Sequence, residues 1–170
     1  MSVAAAPSVR IQPATLADIP TIVALAEATW EPTYRFIISK EQIEYMYRVI
    51  YTPASLQKQI SEQGHTFLLV YVDEQPAGFA SYSAKAPAGH YHLNKIYVLP
   101  THQGLGLGQR LIGAVETAVR TAGGRILELN VNRHNPALNF YEHLGFQRQR
   151  EEDIAIGPYW MNDYVMQKAL

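Results

Sequence analysis

Cysteine is absent from the 170-residue sequence, which excludes disulfides, thiolate metal sites and a cysteine nucleophile. No apolar run approaches the ~20 residues of a membrane-spanning helix. Excess charge is also missing: a net charge of −1 gives no reason to expect a nucleic acid or an acidic membrane as partner. His, Asp and Glu residues nowhere fall at metal-ligand spacing, so no metal is expected. Repeats and low-complexity linkers are lacking, and the prolines are scattered. The opening Met1–Pro7 has no basic flank and is too short for a signal core, which suggests a frayed tail over residues 1–8 of a cytoplasmic protein. What remains is ordinary globular material, 48% hydrophobic and 17% charged, enough for a single domain over residues 1–170.

Periodicity divides the chain into alternating element types. Val9–Ile11 reads as a short strand. Thr15, with Asp18 three residues on, caps a helix through Ile19, Ile22, Leu25 and Ala26, which Pro32 should break. Further helices open at Ser39 and Pro53. Phe67–Val72 and Ala77–Ser83 form a hairpin around Asp73–Pro76, and His92–Leu99 follows as a third strand closed by Pro100. A helix from Gln109 places Leu111, Val115, Ala118 and Ala122 on one stripe, ending at Gly123–Gly124. Arg125–Val131 is a buried strand. Asn135 then caps a helix with Pro136 at its first position and Gly145 at its stop. The strands Gln147–Ile156 and Trp160–Lys168 finish the chain.

The stretch Gln103-Gly104-Leu105-Gly106-Leu107-Gly108-Gln109 carries the most chemistry. A strand, a glycine turn and a helix N-terminus make an anion site, because the first helical N–H groups lack partners and the dipole favours negative charge. A nucleotide P-loop fails here, since Arg110 and Leu111 stand where lysine and a hydroxyl are needed. The dinucleotide pattern G-x-G-x-x-G also fails, at Gln109 and Leu111. Glu128 stands at about the distance of a ribose-binding acid but lies in mid-strand, which keeps an oxidoreductase as the weaker alternative.

Gln103, Gly106 and Gly108 fit Q/R-x-x-G-x-G/A after a strand, and Asn135-Pro-Ala-Leu-Asn139-Phe-Tyr141-Glu-His143-Leu-Gly-Phe146 follows downstream. Together these segments resemble the GNAT superfamily of acetyl-coenzyme A-dependent N-acetyltransferases. The resemblance implies an α/β (α+β) fold with a mixed, mostly antiparallel sheet of about seven strands and helices on both faces. It also implies acetyl-coenzyme A as co-substrate and direct attack by a primary amine. By position, the backbone of Ile96, Tyr97 and Val98 would hold the pantetheine arm, with the Val98 N–H as oxyanion donor. Gln103 through Gln109 would surround the pyrophosphate, with Gln103 replacing the commoner arginine. Tyr141 matches the leaving-group acid, although a packed aromatic is the alternative. Asn135 and Asn139 would reach the coenzyme arm, and His143 the nucleotide phosphates; capping alone could also explain Asn135.

Such a reaction must neutralise its acceptor. An alkylammonium of pKa ~10.4 is neutral at pH 7 once in ~2,500 molecules, so a proton has to be removed before the nitrogen attacks. Many relatives use a glutamate on the strand before the turn, but this strand offers His92, Asn94 and Lys95. The base is left open among Glu31, His92, Asp163 and a water chain, and a non-catalytic acyl-coenzyme A sensor stays an alternative. Glu31 and Tyr34, with Glu151-Glu152-Asp153, suggest a cationic acceptor such as a polyamine or peptide amine, unless those acids form a solvated face. The narrower resemblance is to bacterial polyamine-acetylating, PaiA-like enzymes. The apolar final strands suggest a homodimer.

Overall fold

A computed structural model describes Met1–Leu170. Edge strand β1 (Val9–Pro13) lies antiparallel on β2 (Thr66–Val72), with a helical block between them in sequence: α1 (Ile19–Tyr34), α2 (Lys40–Ile50) and α3 (Pro53–Ser61). Asp73 and Glu74, at φ 47° and 64°, turn the chain into β3 (Gln75–Lys85). Left-handed residues in a two-residue turn match the twist of the strands they join. Next come β4 (His90–Val98), α4 (Leu107–Thr121), β5 (Ile126–Asn132) and α5 (Ala137–His143), then a hairpin of β6 (Gln147–Ile156) and β7 (Tyr159–Ala169). The seven strands take the order β1-β2-β3-β4-β5-β7-β6. Only β4 and β5 pair in parallel, which requires the crossover supplied by α4.

Alternation along the strands sorts side chains onto two faces. Leu68, Val70, Leu93, Leu127, Leu129 and Met166 pack with Leu111, Val115 and Val119 of α4 and with Tyr141 and Phe146. Phe67, Leu69, Phe79 and Met161 pack on the other side with Ile22, Leu25 and Trp30 of α1, Ile43 and Met46 of α2 and Leu56 of α3. The mixed sheet with helices on both faces is therefore the fold expected.

Three local expectations need correction. Pro32 does not break α1, which continues to Tyr34. A proline removes one helical bond and crowds the carbonyl four residues back, but here Trp30 is buried and packs tilted against Tyr34 and edge-on against Tyr51 and Tyr97, and this holds the last turn down. The α4 helix starts at Leu107 rather than Gln109, because Gly106 at φ 71° is its N-cap. The α5 helix starts at Ala137, so Pro136 takes the cap position, while the Asn135 side chain still accepts the Ala137 N–H at 2.9 Å. Ser8 is also tied down, by bonds in both directions with Asp73.

Candidate functional site

β4 and β5 stay paired only from His90–Leu93 against Ile126–Leu129. Beyond Leu93 they diverge, while β4 keeps its partner β3 as far as Val98. A cleft of about 730 Å³ opens in this notch. Its walls belong to both faces of the sheet: Phe140 and Tyr141 from the α4–α5 side, Tyr34 and Tyr97 from the α1 side. The cleft thus passes through the sheet.

Backbone direction on β4 follows from one bond. The Leu99 N–H donates to the Ala77 carbonyl of β3 at 2.8 Å. Antiparallel partners alternate between bonded and non-bonded pairs, so Tyr97 also turns its main chain toward β3. Ile96 and Val98 turn theirs toward the notch. Both residues line it, and no strand takes up those groups. Tyr97 therefore departs from the expectation of a main-chain contact and contributes its side chain instead.

At one end stands the glycine turn. Gly104 and Gly106 adopt φ 86° and 71°, and nothing lies within 4 Å of where a Cβ would stand at either. The first intrahelical bond is from the Arg110 N–H to the Gly106 carbonyl, so the N–H groups of Leu107, Gly108 and Gln109 are spare. Those three residues, with Gln103, Gly104, Gly106 and Asn135, line this end. Such a cradle fits a pyrophosphate. A Cβ on Gly108 would instead meet the Phe140 ring at 3.2 Å, so a side chain there would press on the contact between α4 and α5. Leu105 is 45% exposed and lies outside the lining. Asn139 and His143 are likewise exposed on α5, off the cleft wall, because they stand on the helix face opposite Leu138 and Tyr141.

Tyr141 is buried in the middle of the cleft, and its hydroxyl bonds to no protein group. Burial, then the neighbouring Tyr34, push the phenol above its ordinary pKa, so it is fully protonated at neutral pH. Tyr34 and Tyr97 face it from the other side with their hydroxyls 3.1 Å apart, and burial raises both phenols. Continuation of α1 past Pro32 is what delivers Tyr34 here.

The far end is built of amides. Asn94, Asn130 and Asn132 line it. The His92 ring stands 3.1 Å from Asn94 Oδ1 and 2.9 Å from Asn130 Oδ1. Lys95 donates to Gln59 at 2.7 Å, and burial lowers its ammonium to about 8. Asp163, beside Asn132 in the β5–β7 register, is 6% exposed. Sequence reasoning missed Asn130 and Asn132. Their signal was polar residues at every second position of a strand whose other face is core, Leu129-Asn130-Val131-Asn132.

Two acidic expectations fail. Glu31 sits away from the notch, in a separate groove between α1 and α2, paired with Arg35 at 3.1 Å. Glu151 and Asp153 are both clamped by Arg133, and Glu152 pairs with Arg150 at 3.0 Å. Glu128, the acid of the dinucleotide alternative, is buried in mid-strand against Lys85 and Gln167. It does not line the cleft. No three His, Asp or Glu side chains gather as a metal site, and no helix is long and apolar enough to cross a membrane.

The family model described as "Acetyltransferase (GNAT) domain" matches residues 37–162. The chain belongs to the GNAT acetyltransferase family. It is 26% identical over 166 residues to the spermidine N(1)-acetyltransferase of Thermoplasma acidophilum, covering 95% of this chain and 97% of that one. Among solved structures, the PaiA N-acetyltransferase of Thermoplasma acidophilum in complex with coenzyme A aligns with TM-score 0.81 and 25% identity, covering 96% of this chain and 99% of that one. A GCN5-related N-acetyltransferase from Rhodopseudomonas palustris gives TM-score 0.80 and 25% identity, covering 100% and 99%. This GNAT member is an acyltransferase that uses acetyl-coenzyme A and an amine acceptor, which replaces both the dinucleotide and the sensor alternatives.

Proposed function

We propose that this chain transfers the acetyl group of acetyl-coenzyme A to the primary amine of a small, cationic, polyamine-like molecule. The observation that carries the reading is the passage through the sheet. A donor on the α4 side and an amine on the α1 side would meet at the notch, which turns a bimolecular reaction into one between fixed partners. The spare N–H groups at the start of α4 would hold the pyrophosphate. The Val98 N–H, facing the notch, would stabilise the oxyanion, and Tyr141 would return a proton to the departing thiolate.

A cationic acceptor is supported by the wall opposite the cradle. The phenol rings of Tyr34 and Tyr97 on that wall suit an ammonium, as does the likeness to a spermidine acetyltransferase. The acids of the β6–β7 hairpin, already paired with arginine, do not enter this argument. A thiol-release assay with a panel of amines tests it: spermidine-like amines should outperform anionic amino acids. A panel in which acidic amino acids are the best acceptors would refute the polyamine reading.

The proposal extends to a single domain over residues 1–170, acting as a homodimer in the cytoplasm. Continuity of one sheet from Val9 to Ala169 supports the first part. Trp160, 58% exposed on β7 beside the edge strand β6, supports the second. Light scattering that reports a monomer at micromolar concentration would remove the dimer.

A further inference from the structure

Three polar side chains meet where β4 and β5 fork. The last parallel pair is Leu93 with Leu129, so Asn130 is the first β5 residue beyond it. On the other prong the β3–β4 register slips between the pairs Tyr82–Leu93 and Ser81–Lys95, which leaves Asn94 as an extra residue. An extra residue of this kind leaves the ladder and re-aims its side chain. Both Asn94 and Asn130 line the cleft. His92 sits among the last paired residues, opposite Ser83 of β3 and Glu128 of β5. Its Nδ1 stands 3.1 Å from Asn94 Oδ1 and its Nε2 stands 2.9 Å from Asn130 Oδ1. One ring therefore joins both prongs, and neither of its nitrogens is left to act as a base on the acceptor.

We propose that His92 is a positioning residue: its ring clamps Asn94 and Asn130 across the fork, so that the two amides meet the acceptor amine in a fixed arrangement. A neutral imidazole has one donor and one acceptor, so it cannot donate to two amide oxygens. One amide must offer its nitrogen to the ring, and Asn94 can do so without loss. Turning it over exchanges its nitrogen and oxygen between the ring and Ser83 Oγ, which lies 3.0 Å from the nitrogen. A hydroxyl donates as well as it accepts. Asn130 keeps its oxygen on the ring, at the shorter of the two distances. The result is a chain that runs in one direction: Ser83 O–H to Asn94 Oδ1, Asn94 N–H to His92 Nδ1, and His92 Nε2–H to Asn130 Oδ1.

This chain crosses β3, β4 and β5 just where main-chain pairing between β4 and β5 stops. Glu128 does not compete for the ring, because it is turned to Lys85 and Gln167. Each amide oxygen spends one lone pair on the chain and keeps a second, which suits an N–H of the acceptor. An untied amide would have to be ordered by the acceptor itself, at the expense of affinity. The clamp orders both amides during folding.

This inference rests on the proposed acetyl transfer, so one arm of the test does not depend on turnover. In nitrogen-15 NMR spectra of the wild-type protein at about pH 8.5, where an ordinary imidazole is neutral, His92 should carry its proton on Nε2. A proton on Nδ1 would overturn the chain. Steady-state rates with acetyl-coenzyme A and spermidine then compare His92→Gln, whose amide can still reach Asn130, with His92→Leu, which can bond neither amide. KM for spermidine should rise ~10–100-fold in His92→Leu and under ~5-fold in His92→Gln, with kcat less affected. Equal rises in both variants, or none in either, would overturn the clamp and leave acetyl transfer standing. Calorimetry should give wild-type coenzyme A affinity in both variants; a parallel loss would mean that His92 holds the sheet rather than the acceptor end. A wild type inactive on spermidine and on every other amine tested would overturn acetyl transfer itself, while the position of the His92 proton would still uphold or overturn the chain.

Discussion

The two ends of the cleft are made of different material. The α4 end is built from main chain: a glycine turn, spare N–H groups at Leu107, Gly108 and Gln109, and the notch-facing backbone of Ile96 and Val98. The acceptor end is built from side chains that arrive separately: Tyr34 on α1, Asn94 and Tyr97 on β4, and Asn130 and Asn132 on β5. Backbone geometry tolerates many sequences provided its glycines remain. A side-chain end depends on the identity of each residue and on the register that gathers them. One end is therefore suited to an invariant donor, and the other can be retuned for different amines.

The comparison can be broken most severely at Gly106. Its φ of 71° strains any other residue, and the space beyond it is open, so Gly106→Val should abolish acetyl-coenzyme A binding. The protein should stay folded, at a cost of about 1–2 kcal/mol for the left-handed backbone. Calorimetry with normal affinity would refute the cradle. Gly108→Ala should act differently, with lower thermal stability as Phe140 gives way and binding largely kept.

Tyr141→Phe comes next, where the two ends meet. A fall in kcat of about 10–1,000-fold is expected, with coenzyme affinity little changed, as for the loss of an acid that acts only in the transition state. An unchanged rate across pH would make Tyr141 a packing residue.

A smaller effect with an opposite sign is expected at Asp163. Burial lifts its folded pKa to about 6, above the ordinary aspartate value of 3.8, so the charged form opposes folding. The native fold's preference for the neutral acid is fully present below the unfolded pKa and is lost as pH rises through the folded one. Asp163→Asn should therefore be more stable than wild type at pH 8, by about 2 kcal/mol after allowance for partial screening, and this gap should close near pH 4. Thermal melts across pH check this. A residue retained for stability would show the reverse sign.

The smallest effects belong to the exposed acids. Glu31→Gln and Glu151→Gln should each leave KM for polyamines within about 2-fold of wild type and change stability by under about 1 kcal/mol, as for solvent-facing ion pairs. A marked rise in KM for Glu31→Gln would restore that residue to the acceptor site.

This contrast also explains what the sequence disclosed. Main-chain function leaves a local trace: Gln103 through Gly108 and Asn135 through Phe146 are contiguous segments whose spacing is readable. Element types followed from periodicity for the same reason. The acceptor end left little trace, because Tyr34, Asn130 and Asn132 are joined only by tertiary packing. Glu31 was misplaced because composition cannot tell which face of α1 reaches the notch. Pro32 misled because the local cost of a proline was outweighed by aromatic packing distant in sequence. Arg133 hid the character of the hairpin acids in the same way, since its partners on β6 are set by the sheet order.

The central claim is that the cleft joins a coenzyme end to an amine end across the notch. A conjugate in which coenzyme A is tethered through an acetyl spacer to spermidine addresses it directly, with binding compared with coenzyme A alone by calorimetry. The account predicts affinity tighter by about 10²-fold or more, because the second contact becomes intramolecular, and a loss of most of that gain in Tyr34→Ala with coenzyme A affinity intact. Equal affinities for conjugate and coenzyme A would contradict it.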